Sequence, residues 1–135
     1  MPMDKSLSYV ALARKAGRIE LGEEPVGKAA QAGKASLILV AEDASDHTWR
    51  RAKSFVVETD QQCIRVAYTK DQLGQAIGRE ALALAAFTDP AMALAFAKSL
   101  EQDVTEVIGA LERAVKQSRP ARPGKRKGRS RPAAK

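Results

Sequence analysis

The chain has 135 residues, which suits one domain with a single core, and no apolar run approaches the roughly 18–20 residues of a membrane-spanning helix. The N-terminus carries no secretion signal, and a lone cysteine, Cys63, excludes a disulfide framework. We therefore expect a cytoplasmic protein that makes no membrane contact.

The net charge of +7 is concentrated at the C-terminal end. Nine of the 23 Lys and Arg residues lie in residues 116–135, which contain no Asp or Glu. This leaves 14 basic against 16 acidic residues in 1–115, a net charge of −2, so overall basicity is weak evidence that the folded part binds nucleic acid. Proline, glycine and like charges predict that residues 117–135 form a disordered basic tail. Its cations favour contact with phosphate, with solubility as the alternative role.

Residues 4–16 predict the first helix. Asp4 is suited to cap it, Gly17 to end it, and residues 19–21 alternate as a short strand should. A broad apolar face is predicted from Leu7, Val10, Ala11, Leu12 and Ala16.

A second helix and a buried strand follow. Pro25 is tolerated only in a first turn, so this helix begins at Glu23 or Glu24 and runs to Gly33. Residues 36–41 are apolar on both sides, which predicts a strand covered by helices on both faces.

The alternation of helix and strand continues to residue 100. Trp49 and Cys63 are expected in the core. Further elements are predicted as a helix at 46–57 capped by Ser45 or Asp46, a strand at 63–68, a helix opened by the capping box Thr69 and Gln72, a strand at 82–87, and a helix with Pro90 at its first position after Thr88 or Asp89. This order predicts a three-layer α/β/α domain over residues 1–100.

Residues 101–116 predict a helical extension with one apolar stripe. Gly109 weakens it by roughly 1 kcal/mol relative to Ala, and a break near Gln102 is an open alternative to continuity with the preceding helix. The stripe either packs back on the domain or forms a homodimer or partner interface. It consists of Val104, Val107, Ile108, Leu111 and Val115.

One segment has two competing interpretations. Gly22, Gly27 and Lys28 match G-x-x-x-x-G-K, the start of a phosphate-binding loop. However, Ala29 stands where Ser or Thr must hold Mg²⁺, and Pro25 lacks an N–H donor that the loop requires. The alternative, that these residues begin a helix whose exposed end touches RNA, is favoured.

No catalytic or metal-binding constellation accompanies the motif. His47 is the only histidine and has no Ser, Cys or second His at catalytic spacing. The acidic pair Glu42 and Asp43 is expected to shape the turn into the following helix. We therefore expect a non-enzymatic protein without metal, cofactor or bound nucleotide.

Three segments carry a family resemblance: LARKAGRIELGEEPVGKAAQAGKASLILVAEDAS at 12–45, TKDQLGQAIGRE at 69–80 and FTDPAMALAFAKSL at 87–100. They resemble the kink-turn RNA-binding ribosomal protein family, of the L-seven-A-e and L-thirty-e type, in its small bacterial branch. The resemblance implies an α/β/α sandwich with a four-stranded mixed sheet. It also implies binding of a sharply bent RNA that contains tandem sheared G·A pairs.

In that family the helix after the glycine inserts its N-terminus into an RNA major groove widened at the bend, because an ordinary A-form groove is too narrow. The family motif is glycine, a small residue, Asn, Glu, two variable residues and Lys. Gly22 and Lys28 match it, whereas Glu24 and Pro25 occupy the Asn and Glu positions. A Glu24 carboxylate accepts hydrogen bonds from base amino groups but cannot donate them, so a different RNA motif stays open.

Position along the chain and the resemblance together select the candidate RNA-contacting residues. For the cations the alternative is a solvated basic face, and for the two glutamates it is charge placement at a helix N-terminus. The candidates are Gly22, Glu23, Glu24, Lys28, Lys34, Arg14, Lys15, Arg18 and Arg79.

The sequence thus predicts a non-catalytic RNA-binding protein, associated with the ribosome or translation. The N-terminus of the second helix supplies selectivity and the tail supplies salt-sensitive affinity. The alternative is a protein-interaction module or homodimer built on residues 101–116, with non-specific RNA binding by the tail.

Overall fold

A computed structural model describes residues 4–118, which form a four-stranded mixed sheet with helices on both faces. The predicted α/β/α class is therefore confirmed. The elements are α1 Lys5–Ala16, β1 Ile19–Leu21, α2 Glu23–Gln31, β2 Leu37–Val40, α3 Asp46–Val56, β3 Gln62–Arg65, α4 Lys70–Ala76, β4 Leu84–Phe87, α5 Pro90–Ser99 and α6 Thr105–Ser118.

The strands lie in the order β1-β4-β2-β3, so the last strand of the chain is inserted between the first two. β4 runs antiparallel to both of its neighbours, and β2 runs parallel to β3. All residues of the central strands β2 and β4 are buried. This burial explains why their sequences are continuous apolar runs rather than alternating ones.

Two groups of helices cover the sheet. α2 packs against α3, while α1 packs against α4 and α5, and α6 packs on α5. The rings of Phe87 in β4 and Phe96 in α5 lie 5.2 Å apart, a tilted aromatic contact between the sheet and its helical layer.

The predicted helix boundaries agree with the caps in the structure. Asp4 caps α1, and Gly17 ends it with a φ of 70°. Both members of the capping box at α4 form their hydrogen bonds. Where two caps were open, the structure selects Ser45 for α3 and Asp89 for α5.

The C-terminal extension is separated from α5 by a non-helical segment at 100–104. Gln102 holds this segment against the edge of β3, since its amide accepts from Ala67 N at 2.9 Å and donates to Arg65 O at 3.0 Å. The stripe of α6 packs back on the domain, with Leu111 only 2% exposed. Gln117 and Ser118 belong to α6, and the remainder of the predicted basic tail lies outside the described residues.

Three core predictions differ from the structure. Ala16, which was predicted on the apolar face of α1, is exposed. Leu12 is 53% exposed, so its placement on the apolar face of α1 was wrong. The buried line of α1 passes through Leu7, Val10 and Ala13, and Leu12 is rotated about 200° from Val10 at 100° per residue. Trp49 is half-buried and packs against the core from its margin.

Candidate nucleic-acid interface

The first turn of α2 is fixed by Gly22. This residue has φ 97° and ψ 162°, a conformation that strains a residue with a Cβ. Its N–H donates to Leu84 O at 2.9 Å, and its carbonyl accepts from Val26 N at 3.0 Å. The chain therefore leaves β1, turns at the start of β4 and enters α2 without a loop.

No side chain caps the N-terminus of α2. Since Pro25 has no N–H, the first turn presents two donors, the backbone N–H groups of Glu23 and Glu24, and both residues are exposed. The other five helices of residues 4–118 each have a side-chain acceptor at their first turn. These acceptors are Asp4, Ser45, Thr69, Asp89 and Asp103.

An open hollow of about 570 Å³ runs along α2 toward the β1 edge of the sheet. Three predicted residues, Glu24, Lys28 and Lys34, line it together. We call it the α2 hollow, and its complete lining is Glu20, Glu24, Pro25, Lys28, Ala29, Ala32, Lys34 and Thr88.

Lys34 reaches this hollow through a tight turn at the end of α2. Gly33 has a φ of 73°, and Lys34 N donates to Ala29 O at 2.8 Å, which folds the chain back onto the last turn. Lys28 and Lys34 therefore flank one surface.

Glu20 and Thr88 were missed as members of this site. Glu20 is the outward residue of β1, between Ile19 and Leu21, and Thr88 follows β4. Strand alternation predicts that Glu20 points outward. Its position opposite α2 depends on the antiparallel pairing of β1 with β4, which pairs Glu20 with Ala86.

Glu23 points away from the hollow. Its Oε2 accepts from Arg51 Nε of α3 at 3.0 Å, with side-chain exposures of 46% and 52%. A pair this exposed contributes about 0–1 kcal/mol. The main role of this ion pair is to connect the first turn of α2 to the outer surface of α3.

The match to a phosphate-binding loop is a coincidence of two unrelated glycines. Gly22 provides the turn, whereas Gly27 lies inside α2, where an added Cβ would stand 3.2 Å from the Phe55 ring of α3. The segment is helical from Glu23, and Val26 N already donates to Gly22 O. These residues do not form a loop that could wrap a phosphate.

The side chains of the basic residues at the end of α1 are not part of the lining of the α2 hollow. Arg14 Nη1 donates to Ile77 O at 2.7 Å, so its guanidinium holds the C-terminal end of α4. Lys15 is exposed, and Arg18 is exposed with its carbonyl accepting from Thr88 N at 2.9 Å beside the hollow. RNA contact by these three residues stays a prediction.

The loop between α4 and β4 approaches the first turn of α2. Arg79 is exposed, and its N–H donates to Gly74 O at 2.8 Å. The loop then leads to Leu84, whose carbonyl binds Gly22 N–H. Gly22 and this loop are thus neighbours, while contact between Arg79 and RNA also stays a prediction.

Asp43, Cys63 and His47 lie outside the lining of the α2 hollow. Asp43 Oδ1 accepts from Lys70 N at 2.8 Å, so it caps α4 rather than shaping the turn into α3. Burial raises the pKa of the Cys63 thiol to about 12, which keeps it protonated at neutral pH. His47 is exposed. Within residues 4–118, no three His, Cys, Asp or Glu side chains form a group able to hold a metal ion, and none of the helices could cross a membrane.

Residues 4–95 match the model of the ribosomal protein L7Ae/L30e/S12e/Gadd45 family. The chain belongs to this family. The match spans α1 through the first half of α5, which includes the whole sheet and the α2 hollow, and it ends before α6. No curated protein matches the chain significantly.

Solved structures support the same fold. A protein with unknown function from Bacillus halodurans C is 27% identical, with a TM-score of 0.68 over 73% of this chain and 99% of its own. A Giardia lamblia 15.5kD RNA binding protein is 21% identical, with a TM-score of 0.57 over 79% of this chain and 84% of its own. Both structures therefore share the fold of this chain at low sequence identity.

Proposed function

We propose that this protein binds a structured, sharply bent RNA of the kink-turn kind through the N-terminus of α2, in a ribosomal or translational setting. The observation that carries the proposal is the uncapped first turn of α2 beside two lysines that share one hollow. Membership of a ribosomal protein family and the fold shared with an RNA binding protein support it.

The chemistry of the first turn suits a nucleic acid. The N–H groups of Glu23 and Glu24 and the positive end of the helix dipole attract phosphate or base acceptors. Lys28 and Lys34 supply phosphate contacts along the hollow. Glu24 and Glu20 repel phosphate from the middle of the same surface, so Glu24 is assigned to base amino groups, for which its carboxylate is an acceptor.

The basic tail has a separate role in this proposal. Residues 117–135 carry eight Lys or Arg residues. Each phosphate contact that they make adds up to roughly 0.7–0.9 to the salt slope of binding. The tail then provides sequence-independent affinity and α2 provides preference between RNAs.

A model kink-turn RNA tests the proposal, with a control RNA whose G·A pairs are replaced by Watson–Crick pairs. The full chain should prefer the kink-turn by at least about tenfold, or 1.4 kcal/mol. The double variant Lys28→Gln/Lys34→Gln should lower the salt slope by up to roughly 1.4–1.8.

The matched control is Lys98→Gln/Arg113→Gln, which removes two exposed cations from α5 and α6 and should leave the slope unchanged. Equal binding of both RNAs by the wild-type chain would overturn kink-turn recognition. If Lys28→Gln/Lys34→Gln left the salt slope of binding unchanged, the α2 hollow would not be part of the RNA interface.

A further inference from the structure

The outer face of α3 forms a polar and cationic stripe outside the α2 hollow. His47, Arg50, Arg51 and Ser54 stand at helical spacing i, i+3, i+4 and i+7, so they share one side of the helix. All four are exposed. We call this surface the α3 basic face.

The helix that carries this face has a net positive charge. Residues 46–56 contain three cations, Arg50, Arg51 and Lys53, and one carboxylate, Asp46, for a net charge of +2. Because residues 1–115 carry −2 in total, the remainder of that segment carries −4. α3 is therefore a positively charged helix in a segment that is acidic overall; another is α1, which contains Lys5, Arg14 and Lys15 and no carboxylate.

These charges are largely available to a partner. Among residues 4–118, Arg50 has neither an ion pair nor a side-chain hydrogen bond. Arg51 has one carboxylate partner, the half-exposed Glu23, and lies 5.2 Å from the centre of the Phe55 ring, while Lys53 stands 5.0 Å from the centre of the Trp49 ring rather than beside a carboxylate. Little internal neutralisation opposes the binding of an external anion.

The α3 basic face adjoins the proposed RNA site. Glu23 reaches across to Arg51 at 3.0 Å, while the next residue, Glu24, lines the α2 hollow. The first turn of α2 thus lies between the hollow on one side and α3 on the other. An RNA bound at this turn would extend over one or both surfaces.

We propose that the α3 basic face holds the sugar-phosphate backbone of one arm of the RNA whose bend occupies the N-terminus of α2. This inference rests on the proposed function, since a sharply bent duplex sends two arms away from its bend. His47 to Ser54 spans about 10 Å along the helix axis at 1.5 Å per residue. Exposed arginines on such a stripe suit contacts with phosphate, and such contacts position an RNA without reading its sequence.

The test compares full-length wild type with Arg50→Gln/Arg51→Gln on three RNAs: the model kink-turn with both arms, and two versions in which one or the other arm is shortened to the bend. On the complete RNA, the variant should lower the salt slope by up to roughly 1.4–1.8. On one shortened RNA the variant and wild type should bind alike, because the arm that reaches α3 is missing.

Two controls keep the result specific. Arg50→Gln alone disturbs no described contact of that side chain and should give about half the change in slope, so a folding defect cannot account for it. Lys98→Gln/Arg113→Gln removes the same amount of charge from α5 and α6 and should leave the salt slope unchanged.

The outcomes separate this inference from the proposed function. If the wild type prefers the kink-turn over its Watson–Crick control while Arg50→Gln/Arg51→Gln leaves the slope unchanged, RNA recognition stands and the α3 contact is refuted. An equal reduction of the salt slope on all three RNAs also refutes the α3 contact, since the contact then involves neither arm. Absence of any preference in the wild type overturns the proposed function and this inference with it.

Discussion

α4 and α2 begin at the same end of the sheet, yet their first turns are built in opposite ways. At α4, Thr69 accepts from Gln72 N, the side chain of Gln72 accepts from Thr69 N, and Asp43 accepts from Lys70 N. At α2, no side chain accepts from the first turn. The two ends are close because Leu84, whose carbonyl binds Gly22, pairs with Val40 at the end of β2.

This difference separates a stabilising terminus from a binding one. Each satisfied donor at α4 contributes to folding and is not available to a ligand. The donors at α2 lack such partners and face the solvent, so they contribute little to stability and remain available to an anion or a base. Substitutions at the two ends should accordingly change different measurements.

The largest expected effect is the loss of stability caused by a substitution at Gly74 in α4. A Cβ added at Gly74 would stand 2.7 Å from the backbone of Ala81, so Gly74→Ala must displace the loop that leads to β4. We expect the free energy of unfolding to fall by about 1–3 kcal/mol, as for an overpacked core. Denaturant unfolding measures it.

Gly109→Ala is the matched control, because its Cβ would meet only Arg113 Nη1 at 3.7 Å. Inside α6 this change should stabilise the protein by up to about 1 kcal/mol. If Gly74→Ala did not lower the free energy of unfolding, the contact between α4 and the loop would be looser than the 2.7 Å distance implies.

The sequence predicted the elements where local chemistry decides them. Thr69 and Gln72 form a capping box from side chains three residues apart, and Pro25 limits where α2 begins. The apolar run at 36–41 similarly required burial on both faces. Each prediction depends on residues that are neighbours along the chain or the helix, so no tertiary information was needed.

Features that depend on tertiary pairing were not predictable in the same way. Glu20 reaches the hollow because β4 is inserted beside β1, and Asp43 caps α4 across 27 residues of sequence. Leu12 was misplaced because the buried side of α1 is set by its contacts with α4 and α5, which the helical period alone does not specify.

The second prediction separates two adjacent carboxylates of α2. Glu24→Ala should reduce the preference for a kink-turn over its Watson–Crick control by about tenfold, or 1.4 kcal/mol, because a charged acceptor for base amino groups is lost. Glu23→Ala should leave the preference unchanged, since that carboxylate faces Arg51. Competition binding with both RNAs measures the ratio.

Both substitutions remove one negative charge from the first turn of α2, so their effects on the helix dipole cancel in the comparison. If Glu23→Ala and Glu24→Ala changed the preference equally, the charge at this turn, rather than the position of Glu24, would determine the preference for the kink-turn. The assignment of Glu24 to base amino groups would then fail.

The smallest effect is expected from Thr69→Ala at the other terminus. Loss of the cap should lower the free energy of unfolding by about 1 kcal/mol, since Thr69 accepts from Gln72 N at 3.1 Å. Affinity for the kink-turn and the ratio between the two RNAs should both stay at wild-type values when measured below the unfolding transition. A fall in that ratio with the fold intact would mean that α4 also contacts the RNA, and the division between a stabilising and a binding terminus would no longer hold.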